Sequence, residues 1–397
     1  MRLKKQMHLL VLFVMLSVWA GASAQVDPEI QLGARGVVSF NTDILAHKTT
    51  TAVNDFSDTG LLTGFRQKLY NKFRGQLVIG FQFPDAESDL GQLFFHQTFI
   101  LLEDQSNIIK LGRSRVRSAM IEFPTLRDDD ALEFTDVLNP FSSGENTEDH
   151  QYGNVLEYAH IFNQRVWLRI HGEHFTETPQ PPATAETDFS LNAIGFSLQY
   201  RVPPTQLWNR PLIQQVGIGF NNFLTDRPGY RSRWDRALKN VTTSFVINLK
   251  PDPIHFVDFR AQAIYNVGFE EVKQVTDFFT LTRARALATF ASFRYLLRKL
   301  ERPALQVALS AGYKTFPDLQ NKTDQFQLVA NLFYRLGDNF DAVAQVQFRQ
   351  FNGDLRALYG ESDTRIQFGF VYSIDQSWNN QFDDRESLLN LEHGYIP

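Results

Sequence analysis

From Thr364 to Trp378 the chain reads TRIQFGFVYSIDQSW, with Ile366, Phe368, Phe370, Tyr372 and Ile374 at every second position and mostly polar or small residues between them. A period of two is the mark of a strand with one apolar and one polar face. The pattern recurs along the chain. Leu32, Ala34, Gly36, Val38 and Phe40 oppose Arg35, Ser39 and Asn41, and Phe73, Gly75, Leu77, Ile79 and Phe81 oppose Arg74, Gln76 and Gln82. Val166, Leu168 and Ile170 alternate with Trp167, Arg169 and His171, and Val257, Phe259, Ala261, Ala263 and Tyr265 alternate with Asp258, Arg260, Gln262 and Asn266. The stretches around Val216, Leu305 and Phe340 repeat it.

A single such strand fits a soluble sandwich as well as anything else. Many of these segments, however, run about 9 to 11 residues, the span of a tilted transmembrane strand, against about 5 or 6 in globular proteins. The connectors alternate in length too. Long ones are expected at about 45–61, 83–90, 114–151, 175–187, 222–239, 266–277, 315–323 and 352–363. Short ones fall between them, near Tyr70, Glu103, Asn163, Arg201, Pro251, Arg298 and Gly337. Eight long and seven short connectors join sixteen strands. The fold predicted is all-β: a transmembrane antiparallel up-and-down β-barrel of about 16 strands. The stripes of Phe368, Phe370 and Tyr372 then face lipid, and Gln367 and Ser373 face water inside.

The chain start agrees with export. Arg2, Lys4 and Lys5 precede an apolar run from Leu9 to Ala20 and then Ala22-Ser23-Ala24, the order of a cleavable signal peptide. The predicted division is therefore a signal peptide at 1–24, the barrel at 25–382 and a tail at 383–397. No second apolar run of that length follows, so a membrane-embedded mature chain has to cross by strands. Cysteine is absent, which removes disulfides and thiol nucleophiles. The net charge of −5 argues against a nucleic-acid partner.

In layout the chain resembles the sixteen-stranded bacterial outer-membrane porins: an export signal, alternating short turns and long loops, an unusually long third loop and an aromatic last strand. The resemblance covers the whole mature chain as architecture, not as a motif. It implies a water-filled channel for passive diffusion of small hydrophilic solutes and ions, outer-membrane lipid around it, and a homotrimer. The alternatives are a substrate-specific channel for an anion or a sugar, a barrel enzyme, and a soluble exported β-rich binding protein. One departure stands out: the family tends to end on a terminal aromatic, whereas here Asp383 to Pro397 follow Phe382.

The third connector, Arg113 to Gln151, carries apolar anchors such as Met120, Ile121, Phe123 and Phe134, which a freely solvated loop would not favour. By the resemblance it folds into the lumen and narrows it, presenting Glu122, Asp128, Asp129, Asp130, Glu133 and Asp136. Opposite it the expected channel-lining basic wall is Arg35, Arg74, Lys110, Arg169, Arg260, Arg283, Arg285, Arg349 and Arg365. Acidic loop against basic wall would set a transverse field of the kind that tunes pore selectivity.

Other chemistry is weak. His171 and His174 look like a ligand pair in text but lie three apart on a strand, on opposite faces. Asp128-Asp129-Asp130 lacks the spacing of a calcium loop. No G-x-S-x-G elbow or H-E-x-x-H helix occurs. The expectation is a non-enzyme without cofactor or metal.

Overall fold

The computed structural model describes residues 28–45, 48–53, 60–69, 73–82, 94–115, 152–177, 189–202, 212–225, 238–252, 254–273, 279–299, 302–317, 322–337, 339–379 and 382. The strands are β1 (Glu29–Leu45), β2 (Lys48–Val53), β3 (Gly60–Lys68), β4 (Arg74–Gln82), β5 (Phe94–Glu103), β6 (Asn107–Arg115), β7 (Tyr152–Phe162), β8 (Val166–Glu177) and β9 (Phe189–Arg201). They continue as β10 (Ile213–Thr225), β11 (Leu238–Pro251), β12 (His255–Lys273), β13 (Phe279–Lys299), β14 (Arg302–Thr315), β15 (Asp324–Arg335), β16 (Phe340–Asn352) and β17 (Ser362–Trp378), with one short helix, α1 (Asp354–Tyr359), between the last two.

From β3 to β17 each strand pairs antiparallel with the next, and β1 closes the sheet on β17, from Ile30 opposite Trp378 to Leu45 opposite Asp363. β2 lies against the Phe40–Leu45 end of β1 and β3 against its Glu29–Arg35 end, so the two fill one strand position. The seventeen ladder segments thus make a closed barrel of sixteen strands. Closure leaves no edge with unpaired backbone groups, the condition for a sheet to sit in hydrocarbon.

The faces are inverted relative to a water-soluble protein. On β15 the inward residues Gln325, Gln327 and Asn331 are 2%, 0% and 5% exposed, while the outward Leu328, Leu332 and Tyr334 are 44%, 42% and 51% exposed. Leu309 of β14 and Phe368 of β17 are likewise exposed, and Gln345 and Gln367 buried. Exposed Tyr313, Tyr334 and Trp378 stand near strand ends, where aromatic girdles mark the membrane borders. A soluble binding protein does not fit this inversion.

The short turns are built by local chemistry. Asn163 and Gln164 both adopt positive φ, 51° and 59°, the type I′ geometry that matches strand twist in a tight hairpin. In the 103–107 turn the Asp104 carboxylate accepts the backbone N–H of Ser106 and of Asn107, each at 2.7 Å. Asp252 does the same for Ile254 and His255.

Three connector expectations need correction. The interval 45–61 is not wholly a connector: it contains β2, Lys48–Val53, which pairs antiparallel with the Phe40–Leu45 end of β1. The 266–277 connector shrinks because β12 and β13 pair out to Lys273 opposite Phe279, and 352–363 contains α1. The last strand ends at Trp378; Phe382 lies beyond it, its ring 4.1 Å beneath the Arg66 guanidinium and 5.3 Å from the Lys68 ammonium. The signal segment 1–24 and the tail 383–397 lie outside the described residues.

Candidate functional site

The inner wall is the candidate site, because it is where alternation places nearly all the polar chemistry. Along β4 to β9, Arg74 Nε forms an ion pair with Glu103 Oε1. Lys110 stands 4.5 Å over the Phe99 ring. Arg169, fully buried, lies 3.9 Å from the Glu157 carboxylate and 5.2 Å over the Trp167 ring, with Arg201 near that same ring. His171 and Glu173, both inward, approach to 3.7 Å, while His174 is exposed on the outer face. Their opposite directions rule out a shared ion.

On β12 and β13 the buried Asp258 carboxylate is shared by two guanidiniums. Arg294 reaches it at 2.6 and 3.2 Å, and Arg260 at 3.1 and 3.2 Å. Across β15 to β17, Arg349 clasps Asp363 through Nε at 2.9 and 3.1 Å and through a second, shorter bond from Nη2. Arg335 Nε contacts Asp341 Oδ1 at 3.4 Å. Asn331 Nδ2 donates to Gln345 Oε1 at 2.7 Å, and Gln76 Nε2 donates to Gln31 Oε1 at 2.7 Å. Charge on this wall is therefore held in local pairs rather than as bare cations.

Several buried wall atoms find no protein partner, among them Ser244, Ser292 and Ser310 Oγ and Gln306, Gln325 and Gln345 Nε2. Burying so many hydroxyls and amides in a dry core would be prohibitive. Such groups are stable where water completes their hydrogen bonds. A hydrated lumen meets that requirement, and an apolar interior does not.

Of the expected basic wall, Arg74, Lys110, Arg169, Arg260 and Arg349 stand inward as described, and Arg365 is half-buried beside the inward Asp363 and Gln367. Arg35 of β1 sits opposite Ser373, and Arg283 of β13 opposite Phe269. Arg285 departs from the set: it is exposed on the outward face of β13 with Leu287 and Thr289. Glu122, Asp128, Asp129, Asp130, Glu133 and Asp136 lie outside the described residues. Sequence reasoning missed the acidic half of the wall, namely Glu103, Glu157, Asp258, Asp341 and Asp363, and the cation Arg294. The i, i+2 spacing of Asp258 and Arg260 on one face was a signal for the first such pair.

No family model and no curated protein sequence matches the chain. Solved structures share its fold. An anion-selective porin from Comamonas acidovorans superposes with TM-score 0.57 at 11% identity, covering 88% of this chain and 100% of that one. The outer-membrane channel DcaP of Acinetobacter baumannii gives 0.59 at 14%, covering 89% and 99%, and Salmonella typhi OmpF, in complex with daunomycin, gives 0.55 at 13%, covering 87% and 97%. At these identities what is shared is the sixteen-stranded barrel of outer-membrane channels.

Proposed function

We propose that the protein is an outer-membrane porin, a water-filled pore through which small hydrophilic solutes and ions diffuse down their gradients. The observation that carries this reading is the inversion of faces around a closed ladder: Gln, Ser, Asn and paired charges inward, and Leu, Val, Ile and Phe outward and exposed. Among the described residues the inner wall brings together no nucleophile, base and oxyanion donor in one place, and its polar side chains are spread around the whole circumference, as a conduit requires. The signal peptide is removed after Ala24, both chain ends stay in the periplasm, and the channel assembles as a homotrimer. Segment 114–151 folds into the lumen, its carboxylates at Glu122, Asp128, Asp129, Asp130, Glu133 and Asp136 facing the wall arginines.

A preference for anions is the second reading. Near the short-turn end the inner wall carries Arg66, Arg74, Lys110, Arg169, Arg201, Arg260, Arg294 and Arg335 against Glu29, Glu103, Glu157, Asp258 and Asp341 among the described residues. Guanidinium forks suit carboxylate and phosphate.

Planar-bilayer recording of the mature protein tests both. Stepwise ohmic conductance closing in threes is expected, with a reversal potential in a salt gradient that moves toward anions when Asp128, Asp129 and Asp130 become Asn. A protein that inserts but conducts nothing overturns the porin reading. An unmoved potential removes those three carboxylates from the constriction.

A further inference from the structure

The inner wall changes character at the short-turn end of the barrel. Leu101, Trp167, Phe256, Leu296, Phe333 and Val343 all point inward within three residues of the strand ends there, and they are 1%, 8%, 1%, 3%, 1% and 4% exposed. Phe333 and Val343 pack with Val371 of β17. A water-filled lumen calls for polar side chains, and apolar ones are costly to leave wet. Side chains stand roughly perpendicular to their sheet, so neighbours on one face touch flank to flank and leave their tips open to the lumen. Cover this complete has to come from inside the barrel.

The described end of the chain shows where such cover enters. The last strand stops at Trp378, and Asn379 takes a left-handed φ of 59°, which turns the chain off the line of the strand. Trp378 pairs beside Ile30 of β1, and Glu29 of β1 pairs with Arg66 of β3. The Phe382 ring lies 4.1 Å from the Arg66 guanidinium, and Arg66 is inward and 0% exposed. Within four residues of β17 the chain has therefore crossed the width of β1 on its inner side. The residues after Phe382 read DDRESLLNLEHGYIP. They offer Leu388, Leu389, Leu391, Tyr395 and Ile396 as apolar groups, and Asp383, Asp384, Glu386 and Glu392 against Arg385 as charges. The short-turn end of the inner wall presents the complement: an apolar ring among more cations than carboxylates.

We propose that this inner surface is a docking site for the chain's own C-terminal segment, 383–397, which enters the barrel past Phe382 and narrows the short-turn mouth. Its leucines cover Phe333, Val343 and their neighbours, and its carboxylates face the guanidiniums at that level. Phe382, held over Arg66 and 5.3 Å from the Lys68 ammonium, is the anchor. The inference rests on the porin reading, because a narrowed mouth has a consequence only where something passes.

The test compares the full mature chain with a chain ending at Phe382, which keeps every strand and the β1–β17 closure. Val343→Cys, placed in this cysteine-free sequence, should resist a charged thiol reagent in the full chain and react in the shortened one. Single-channel conductance should rise roughly twofold or more on shortening, and a peptide of residues 383–397 added on the short-turn side should bring it back. The full-length variant Asp383→Asn, Asp384→Asn, Glu386→Gln, which loses only the charge attraction, should give an intermediate conductance. Val343→Cys reactive in the full chain overturns the proposal. So does Val343→Cys still protected after shortening, with equal conductance in both chains, which would assign the cover to another segment. Either of those results leaves the porin reading intact, whereas no conductance from either chain sinks the porin reading itself.

Discussion

Gln345 of β16 stands directly opposite Gln367 of β17 on the inner face, and one residue along, Val346 stands directly opposite Ile366 on the outer. Two adjacent rungs of one ladder thus meet different media. A slip of one residue would exchange them, so the register is fixed by the membrane on one side and the lumen on the other.

That division predicts asymmetric tolerance. Leu309, 62% exposed on the outer face, should cost about 2–4 kcal/mol when replaced by Arg, the penalty for a cation near the bilayer midplane. Gln347→Arg, inward, should cost far less. Urea titration of folding into phosphatidylcholine vesicles reads the difference; equal costs would contradict the assignment of faces.

Asp258 holds Arg260 and Arg294 together. Asp258→Asn removes the charge both guanidiniums share and should lower stability by about 1–3 kcal/mol. It should also move the reversal potential in a salt gradient toward anions. The same titration and planar-bilayer recording check the two effects, and a shift toward cations would contradict the wall geometry.

Gly112 has φ of +138°, and a Cβ there would collide with the Thr98 carbonyl oxygen and lie 2.7 Å from Phe99 Cα. These are backbone atoms and do not yield easily. Gly112→Ala should cost about 1–3 kcal/mol, while Gly36→Ala, with nothing within 4 Å of the new atom, should be nearly silent. Comparing their urea midpoints with wild type checks this.

The turn carboxylate of Asp104 gives a pH signature. Its partial burial works to raise its pKa, but the hydrogen bonds from Ser106 and Asn107 outweigh that and hold it below the ordinary 3.8. The folded value is depressed, so its contribution is present above pH 3.8 and is lost as pH falls through the lower folded value. Wild type should exceed Asp104→Asn in urea midpoint at pH 6, and the gap should close progressively below pH 4. A gap that widens on acidification would contradict the turn assignment.

The sixteen strands were legible because each carries its own alternation between connectors of contrasting length. β2 was not: Lys48 to Val53 reads KTTTAV, without apolar alternation, and only its pairing to β1 makes it a strand. The outer ends of β12 and β13 were misjudged because the ladder continues through Glu270, Glu271, Arg283 and Arg285, where strands leave the hydrocarbon and no longer need an apolar side. For the site, alternation indicated which cations point inward. It could not indicate which acids meet them, because Glu103 opposite Arg74 and Asp363 opposite Arg349 are set by register between strands.

The most direct test places single cysteines into this cysteine-free chain at Val346 and Gln347, neighbours on β16. In sealed phosphatidylcholine vesicles with ion flux through the pore monitored, Gln347→Cys should react with a charged, membrane-impermeant thiol reagent and lower the flux, while Val346→Cys should stay unreacted until detergent is added. Labelling of Val346→Cys with Gln347→Cys protected would contradict the account.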